Sequence, residues 1–346
     1  MSAGDEDLPT APAWPGLFPW QHDAAAAMLS DRARWPHALL ITGMRGIGKR
    51  AFALELGRAL LCEAPRDSGF ACGDCASCRY VAAGQHPDLR IVEPIVVEDD
   101  DTPKAVEWIQ VSMIRDLIDW AQLTSHRRVA KVAVIVPAER MNVAAANALL
   151  KTLEEPAPST FLLLVSDAPG RIPATVRSRC RTLQAPMPDP AAARAWLATQ
   201  AVADAETLLA QAAGAPLVAR ALADPDYQAE RAAWLKGLAG PESLVPAALA
   251  ERIDLGPREA RRERLAAAID WLLGWCADLA LVGAGAAPRR NADHAAALAR
   301  LAPSVAPMPL FRYHRTLTRQ RGLVAHPLTP RLVAEALLTD YKTLFR

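Results

Sequence analysis

Two groups of residues in this chain have the types and spacing to do chemistry. The first is Gly43-Met-Arg-Gly-Ile-Gly-Lys49, a G-x-x-x-x-G-K run. Glycines at 43, 46 and 48 let backbone N–H groups turn inward on a phosphate, and Lys49 would direct a point charge at its outer oxygens. Phosphoryl transfer also needs magnesium, held by a Ser or Thr after the lysine and by an Asp at the end of a second strand. Arg50 stands where that hydroxyl belongs. After the apolar run Val132–Val136, Pro137 and Ala138 fill the two acidic positions, and Glu139 is shifted in register. Without magnesium the charge on a transferred phosphoryl group is not neutralised, and most catalytic power goes with it. These residues predict a phosphate-cradling loop with no magnesium and no ATPase activity of its own. ATP binding is not expected, and the spacing leaves open whether nucleotide occupies the loop.

The second group is Cys62, Cys72, Cys75 and Cys78, spaced C-x9-C-x2-C-x2-C. Four thiolates satisfy a tetrahedral zinc, and the two-residue spacings bring successive sulfurs to one point. A closed four-cysteine site is structural, because catalysis needs an open position. An iron–sulfur cluster is the rival ligand, but the Cys-Pro that ferredoxins carry soon downstream is absent. His86 lies near and is not needed as a ligand. Cys180 and Cys276 are isolated and read as packing residues.

Both groups must be positioned by alternating strands and helices. Ala38–Ile41 is a short apolar run ending in the glycine-rich turn, and Ala51–Leu61 follows with helical periodicity. Val132–Val136 and Phe161–Val165 read as further buried strands, and Ala144–Glu155 as a helix stopped by Pro156. This predicts an α/β domain with a parallel sheet over residues 1–183, with the cysteine module inserted at 62–78. Strand signals then vanish. Pro186, Pro188 and Pro190 punctuate the chain before a small helical domain over 184–225. An all-helical domain over 226–346 follows, interrupted at Gly283–Pro288. Its apolar stripe of Leu265, Ile269, Leu272, Leu273 and Leu279, with Trp271 and Trp275 one turn apart, reads equally as a core or as an interface.

The bulk numbers agree. The chain has 346 residues, of which 51% are hydrophobic and 22% charged. That is enough apolar surface for two or three packed domains. A formal net charge of +1 gives no global field for nucleic acid. The acidic start Met1–Asp7 predicts no secretory signal. No run of about 18 uncharged apolar residues predicts a membrane span. A cytoplasmic location is expected, where clustered cysteines bind metal rather than pair as disulfides.

Four features in order carry a family resemblance. They are the degraded P-loop, the cysteine cluster, Ala144-Ala-Ala-Asn-Ala-Leu-Leu-Lys-Thr-Leu-Glu-Glu-Pro156 and Arg177-Ser-Arg-Cys180. With His86-Pro-Asp88, they resemble the clamp-loader branch of AAA+ proteins over residues 20 to 225. The resemblance implies an AAA+ domain with an inserted zinc module, a helical lid and a helical collar. It implies a pentameric ring with ATPase subunits and a delta subunit, acting on a sliding clamp and primed DNA in replication. It also implies that Arg179 is an arginine finger, acting in trans on ATP bound by a neighbour. In active relatives a sensing arginine follows a turn on the lid; Leu217, after Gly214-Ala-Pro, stands in its place. Ser166 matches the polar sensor after the third strand. The alternative readings of the same residues are an ATP-hydrolysing clamp-loader subunit, a small-molecule P-loop kinase and a zinc-containing nucleic-acid-binding module. The first two need the magnesium ligands that Arg50, Pro137 and Ala138 replace. The third lacks a basic field and aromatic–basic interleaving.

Overall fold

The structure is a computed structural model that describes residues 14–97, 103–255, 257, 260–324 and 329–345. The acidic start Met1–Asp7 lies outside the described residues. The chain forms two compact units, Met1–Ala192 and Ala193–Arg346.

In the first unit, helix α1 (His22–Leu29) precedes strand β1 (Ala38–Thr42), the glycine-rich loop and helix α2 (Lys49–Leu61). Helix α3 (Ala76–Ala82) follows the cysteines, then β2 (Leu89–Val92), β3 (Ile95–Val97), β4 (Pro103–Ala105) and α4 (Val111–Gln122). The run closes with β5 (Lys131–Ile135), α5 (Val143–Glu154), β6 (Thr160–Ser166), α6 (Ala174–Arg177) and β7 (Arg181–Gln184). Five strands form one parallel sheet in the order β2-β5-β6-β1-β7, and β3 and β4 form a separate antiparallel pair.

The central strands β1 and β5 are buried at every residue, as parallel strands covered on both faces must be. Leu40, Ala133, Ile135, Leu162 and Leu164 pack with Ile114, Leu117, Ala145 and Leu149 of α4 and α5. Helix α2 covers the other face. A Cβ placed on Gly57 would lie 3.0 Å from Val132 Cγ1 and 3.7 Å from Leu163 Cδ1, so this glycine permits the close helix–sheet approach. Placing β1, β5 and β6 side by side brings the loop after β1 next to the ends of β5 and β6. That juxtaposition builds the site.

The second unit is helical throughout its described residues. The chain enters it along α7 (Pro190–Thr199) and continues through α8 (Ala205–Gln211), α9 (Pro216–Leu222), α10 (Pro225–Leu238) and α11 (Pro246–Ala250). The long α12 (Arg261–Gly283), α13 (Ala295–Leu301), α14 (Pro307–Gly322) and α15 (Pro330–Thr343) complete it. Two separate apolar cores lie inside. One gathers Ala193, Leu197, Leu208, Leu209, Ala212 and Ala219; the larger surrounds α12.

Among the described residues, α12 alone is long and apolar enough to cross a membrane, with mean hydropathy 1.7 over its window. Its packing is that of a core helix. Leu265, Ile269, Leu272 and Leu279 are buried and Leu273 packs against the same core, which resolves the stripe as core. Trp275 Nε1 donates to Tyr341 Oη at 2.8 Å, and Trp271 Nε1 to Tyr227 Oη at 2.8 Å. The buried Asp278 carboxylate accepts the backbone N–H groups of Arg289, Arg290 and Asn291, fixing the turn beside the helix.

Candidate functional site

The loop between β1 and α2 has the shape its sequence predicts. Gly43, Gly46 and Gly48 take φ of 150°, 83° and 86°, in the region that glycine enters without a Cβ penalty. Gly48 has a second reason to be glycine: an added Cβ would sit 2.4 Å from the Phe18 ring. Trp20 Nε1 donates to the Ile47 carbonyl at 2.9 Å and Gln21 Nε2 to the Gly48 carbonyl at 2.9 Å, so the segment before α1 braces the loop from outside.

The charges of Lys49 and Arg50 are already answered from within the chain, while Arg45 of the loop is exposed. Lys49, whose side chain is 3% exposed, lies 2.5 Å from Asp167 Oδ1 and donates to the Met44 carbonyl at 2.6 Å. Arg50 makes a forked pair with Glu93, at 2.7 and 3.2 Å. Beyond β5, Pro137 follows a cis peptide and Ala138 is buried; neither side chain offers a carboxylate. Glu139 accepts the Asp167 N–H at 3.1 Å through Oε1, and its Oε2 is buried without a hydrogen-bond partner. Ser166, fully buried, accepts the Ala168 N–H at 3.1 Å.

The four cysteines meet as their spacing predicts. Cys62 ends α2, Cys75 caps the N-terminus of α3 and Cys78 lies inside it, with Gly73 at φ 94° turning the chain between them. The sulfurs all lie within 4.8 Å of one another, and Cys62 Sγ is 3.5 Å from Cys72, 3.9 Å from Cys75 and 3.7 Å from Cys78. A tetrahedral ion with bonds of about 2.3 Å requires sulfurs about 3.8 Å apart, so the cluster fits a metal ion. Backbone N–H donors from Cys75 and Asp74 pull the Cys72 thiol down to about 6, whereas burial pushes Cys78 up to about 12. Gathering four sulfurs here as thiolates calls for a cation among them.

His86 is not a ligand in this arrangement. Its Nδ1 accepts the Asp88 N–H at 3.0 Å, which assigns the ring proton to Nε2, and Nε2 donates to Ser77 Oγ at 3.0 Å. Ser77 donates on to Glu63, which pairs with Arg127 at 2.7 Å. This polar chain ties the cysteine module to the loop before β5, and burial holds the His86 pKa below its ordinary value.

Asp88 is the anchor beside it. Fully buried, it accepts the N–H groups of His126 and Arg127 at 2.8 and 2.9 Å and the Ser125 hydroxyl at 3.1 Å. Burial opposes its charge, but these donors outweigh it and hold the carboxyl below its usual value. Asp88→Ala leaves three donors without their acceptor and should cost about 1.5–3 kcal/mol in urea unfolding. The Asp88 contribution should be fully present above about pH 4, the unfolded carboxyl pKa, and lost as pH falls through the lower folded value.

Arg179 stands on the surface of the same unit. Its Nε donates to Glu154 Oε1 at 2.6 Å, its Nη2 also meets that carboxylate, and its Nη1 donates to the Thr175 carbonyl at 2.8 Å. Its side chain is 34% exposed, so the guanidinium is accessible while held in one pose. Arg177 instead donates to the Pro169 carbonyl at 3.1 Å. Sequence reasoning missed Asp167, Glu93 and Glu154. Asp167 had one usable signal, its place just after β6 and hence beside the loop.

A parallel sheet carrying a strand–glycine loop–helix turn and a four-cysteine module defines an α/β protein of phosphate-loop type. A family model described as DNA polymerase III, delta subunit, matches residues 24–188. The DNA polymerase III subunit delta' of Pseudomonas aeruginosa is 39% identical over 266 residues, covering 75% of this chain and 76% of the relative. That of Escherichia coli K12 is 33% identical over 305 residues, 85% of each. The Escherichia coli DNA polymerase III subunit tau is 36% identical over 144 residues, 42% of this chain and 20% of the relative. The chain belongs to the family of DNA polymerase III delta-prime subunits.

Proposed function

We propose that this chain is a delta-prime subunit that helps load the sliding clamp onto primed DNA, without hydrolysing ATP itself. In this reading it sits in a pentameric AAA+ ring with the ATPase subunits and delta, in the cytoplasm, as one component of a DNA polymerase holoenzyme. Arg179 is its arginine finger, supplied in trans to the ATP held by a neighbouring subunit. Clamp and DNA are reached through the complex.

The observation that carries the reading is the loss of every magnesium ligand from an otherwise intact loop. Arg50, Pro137 and Ala138 replace the ligands, while the loop keeps its glycines and its lysine. The family relationship supplies the partners. Accessible Arg179, fixed by Glu154 at the far end of α5, supports export of a cation to another chain's site.

Cys62, Cys72, Cys75 and Cys78 hold a structural zinc in this account, since four thiolates and the sulfur spacing suit that ion. The two cores of the second unit support a lid over 184–225 and a collar over 226–346, after an AAA+ domain over 1–183.

The purified chain should turn over ATP no faster than buffer in a phosphate-release assay with magnesium. It should also restore clamp- and DNA-stimulated ATPase when mixed with the other loader subunits. Turnover by the chain alone at a rate of about 1 s⁻¹, within the ordinary enzyme range, would rule out the non-hydrolysing role. Failure to assemble would rule out the loader role.

A further inference from the structure

We infer that Asp167 is a built-in plug of the Gly43–Lys49 loop: its carboxylate stands where the outer phosphates of a nucleotide would sit, and keeps a diphosphate- or triphosphate-binding loop shut. The inference rests on the reading of the chain as a non-hydrolysing subunit and names what closes its loop to ligand. Loss of magnesium ligands would prevent hydrolysis. It would not by itself prevent binding, because backbone N–H groups and a lysine can hold phosphate oxygens without a metal.

The loop is formed, with all three glycines in their left-handed conformations. What it lacks is a free lysine. The Lys49 ammonium is buried, and a buried ammonium is kept charged by a close counter-ion. Asp167 supplies it at 2.5 Å, and the Met44 carbonyl takes a further N–H at 2.6 Å. An arriving phosphate must displace this carboxylate or sit beside it as a like charge, and like charges at such distances are strongly disfavoured. The turn that carries Asp167 is fixed at both sides. Glu139 Oε1 accepts its N–H at 3.1 Å, and Ser166 Oγ accepts the next N–H at 3.1 Å. Arg50, the other cation in the first turn of α2, is paired with both oxygens of Glu93. A formed loop whose lysine is already paired with a carboxylate is the state of a closed anion site.

The test is calorimetric titration of the full chain with magnesium-free ATP and, separately, with pyrophosphate. Asp167→Asn keeps the size of the side chain and removes its charge. Asp167→Ala serves beside it, and far-UV circular dichroism and thermal melting verify the fold. Asp167 is 39% exposed, so both variants should fold. We expect the dissociation constant for ATP to fall at least about tenfold in both variants relative to the native chain. The gain should vanish in the double variant Asp167→Asn with Lys49→Met. Equal gains for ATP and pyrophosphate assign the phosphate chain as the ligand; a gain for ATP alone adds a contact to the nucleoside. Folded variants that bind no better than the native chain overturn the plug, as does native binding already as tight as theirs. Neither result touches the non-hydrolysing reading, which falls only if the native chain turns over ATP.

Discussion

Arg179→Ala should lower ATP turnover at the neighbouring site of the reconstituted complex by about 10³–10⁵-fold, the range typical of an arginine finger. The phosphoryl group in flight spreads negative charge over its equatorial oxygens, and a guanidinium reaching them stabilises that charge more than it stabilises bound ATP. Turnover should therefore collapse while nucleotide affinity of the neighbour changes little. Total ATPase of the complex falls by the share of that one site, so single-turnover measurement on the complex is the sharper readout. Arg179→Lys should not rescue it, because an ammonium is a point charge without the planar fork. The loss should not come from misfolding. Arg179 and Glu154 form a pair whose side chains are 34% and 49% exposed, and solvent-screened pairs contribute little to stability. An unchanged melting midpoint with unchanged turnover would dismiss the finger and leave Arg179 as a surface residue.

Much of this site was legible because its chemistry is local in sequence. Loop glycines, the residue after the lysine and cysteines spaced by two each constrain atoms close together along the chain. The central strands were legible for a similar reason, as continuous apolar runs buried on both faces. The edge strands were not. Leu89–Val92 and Arg181–Gln184 sit at the two margins of the sheet, where polar and exposed residues are tolerated; Arg90 breaks the apolar run of the first, and the second has Leu183 as its one apolar residue. Glu93 was hidden with the first of these, because its role depends on that strand lying where Arg50 can reach it. Asp167 and Glu154 were hidden differently. Each answers a cation distant in the sequence, Lys49 for the first and Arg179 for the second. Only the parallel pairing of β1 with β6 and the packing of α5 beside α6 bring those charges together. The helical stripe of α12 was ambiguous for a third reason: core and interface present the same periodicity, and burial alone separates them.

Metal loss should produce the largest structural effect. The native chain should carry one zinc by elemental analysis, and Cys72→Ser and Cys78→Ser should each carry none under the same purification. Serine at either position removes a soft thiolate that zinc prefers, and three sulfurs no longer close the tetrahedron. The cost is set by what else holds residues 62–78. Beyond the cysteines, α3 is tied down by Ser77, through which His86 and Glu63 connect to Arg127. A free zinc-finger peptide owes its whole fold to metal, about 10–16 kcal/mol of apparent binding energy, but this module is already partly anchored. Only part of that energy should therefore appear as lost stability, about 3 kcal/mol, which in a unit of this size lowers the melting midpoint by roughly 10 °C. The α/β core should survive, so far-UV circular dichroism should change little while proteolysis opens the segment between Cys62 and Cys78. Prolonged chelation of the native chain should reproduce both changes, and zinc added back should reverse them. Iron with labile sulfide in the native chain would assign a different cluster to the same sulfurs. Zinc retained at full stoichiometry by both serine variants would remove the four-cysteine site altogether.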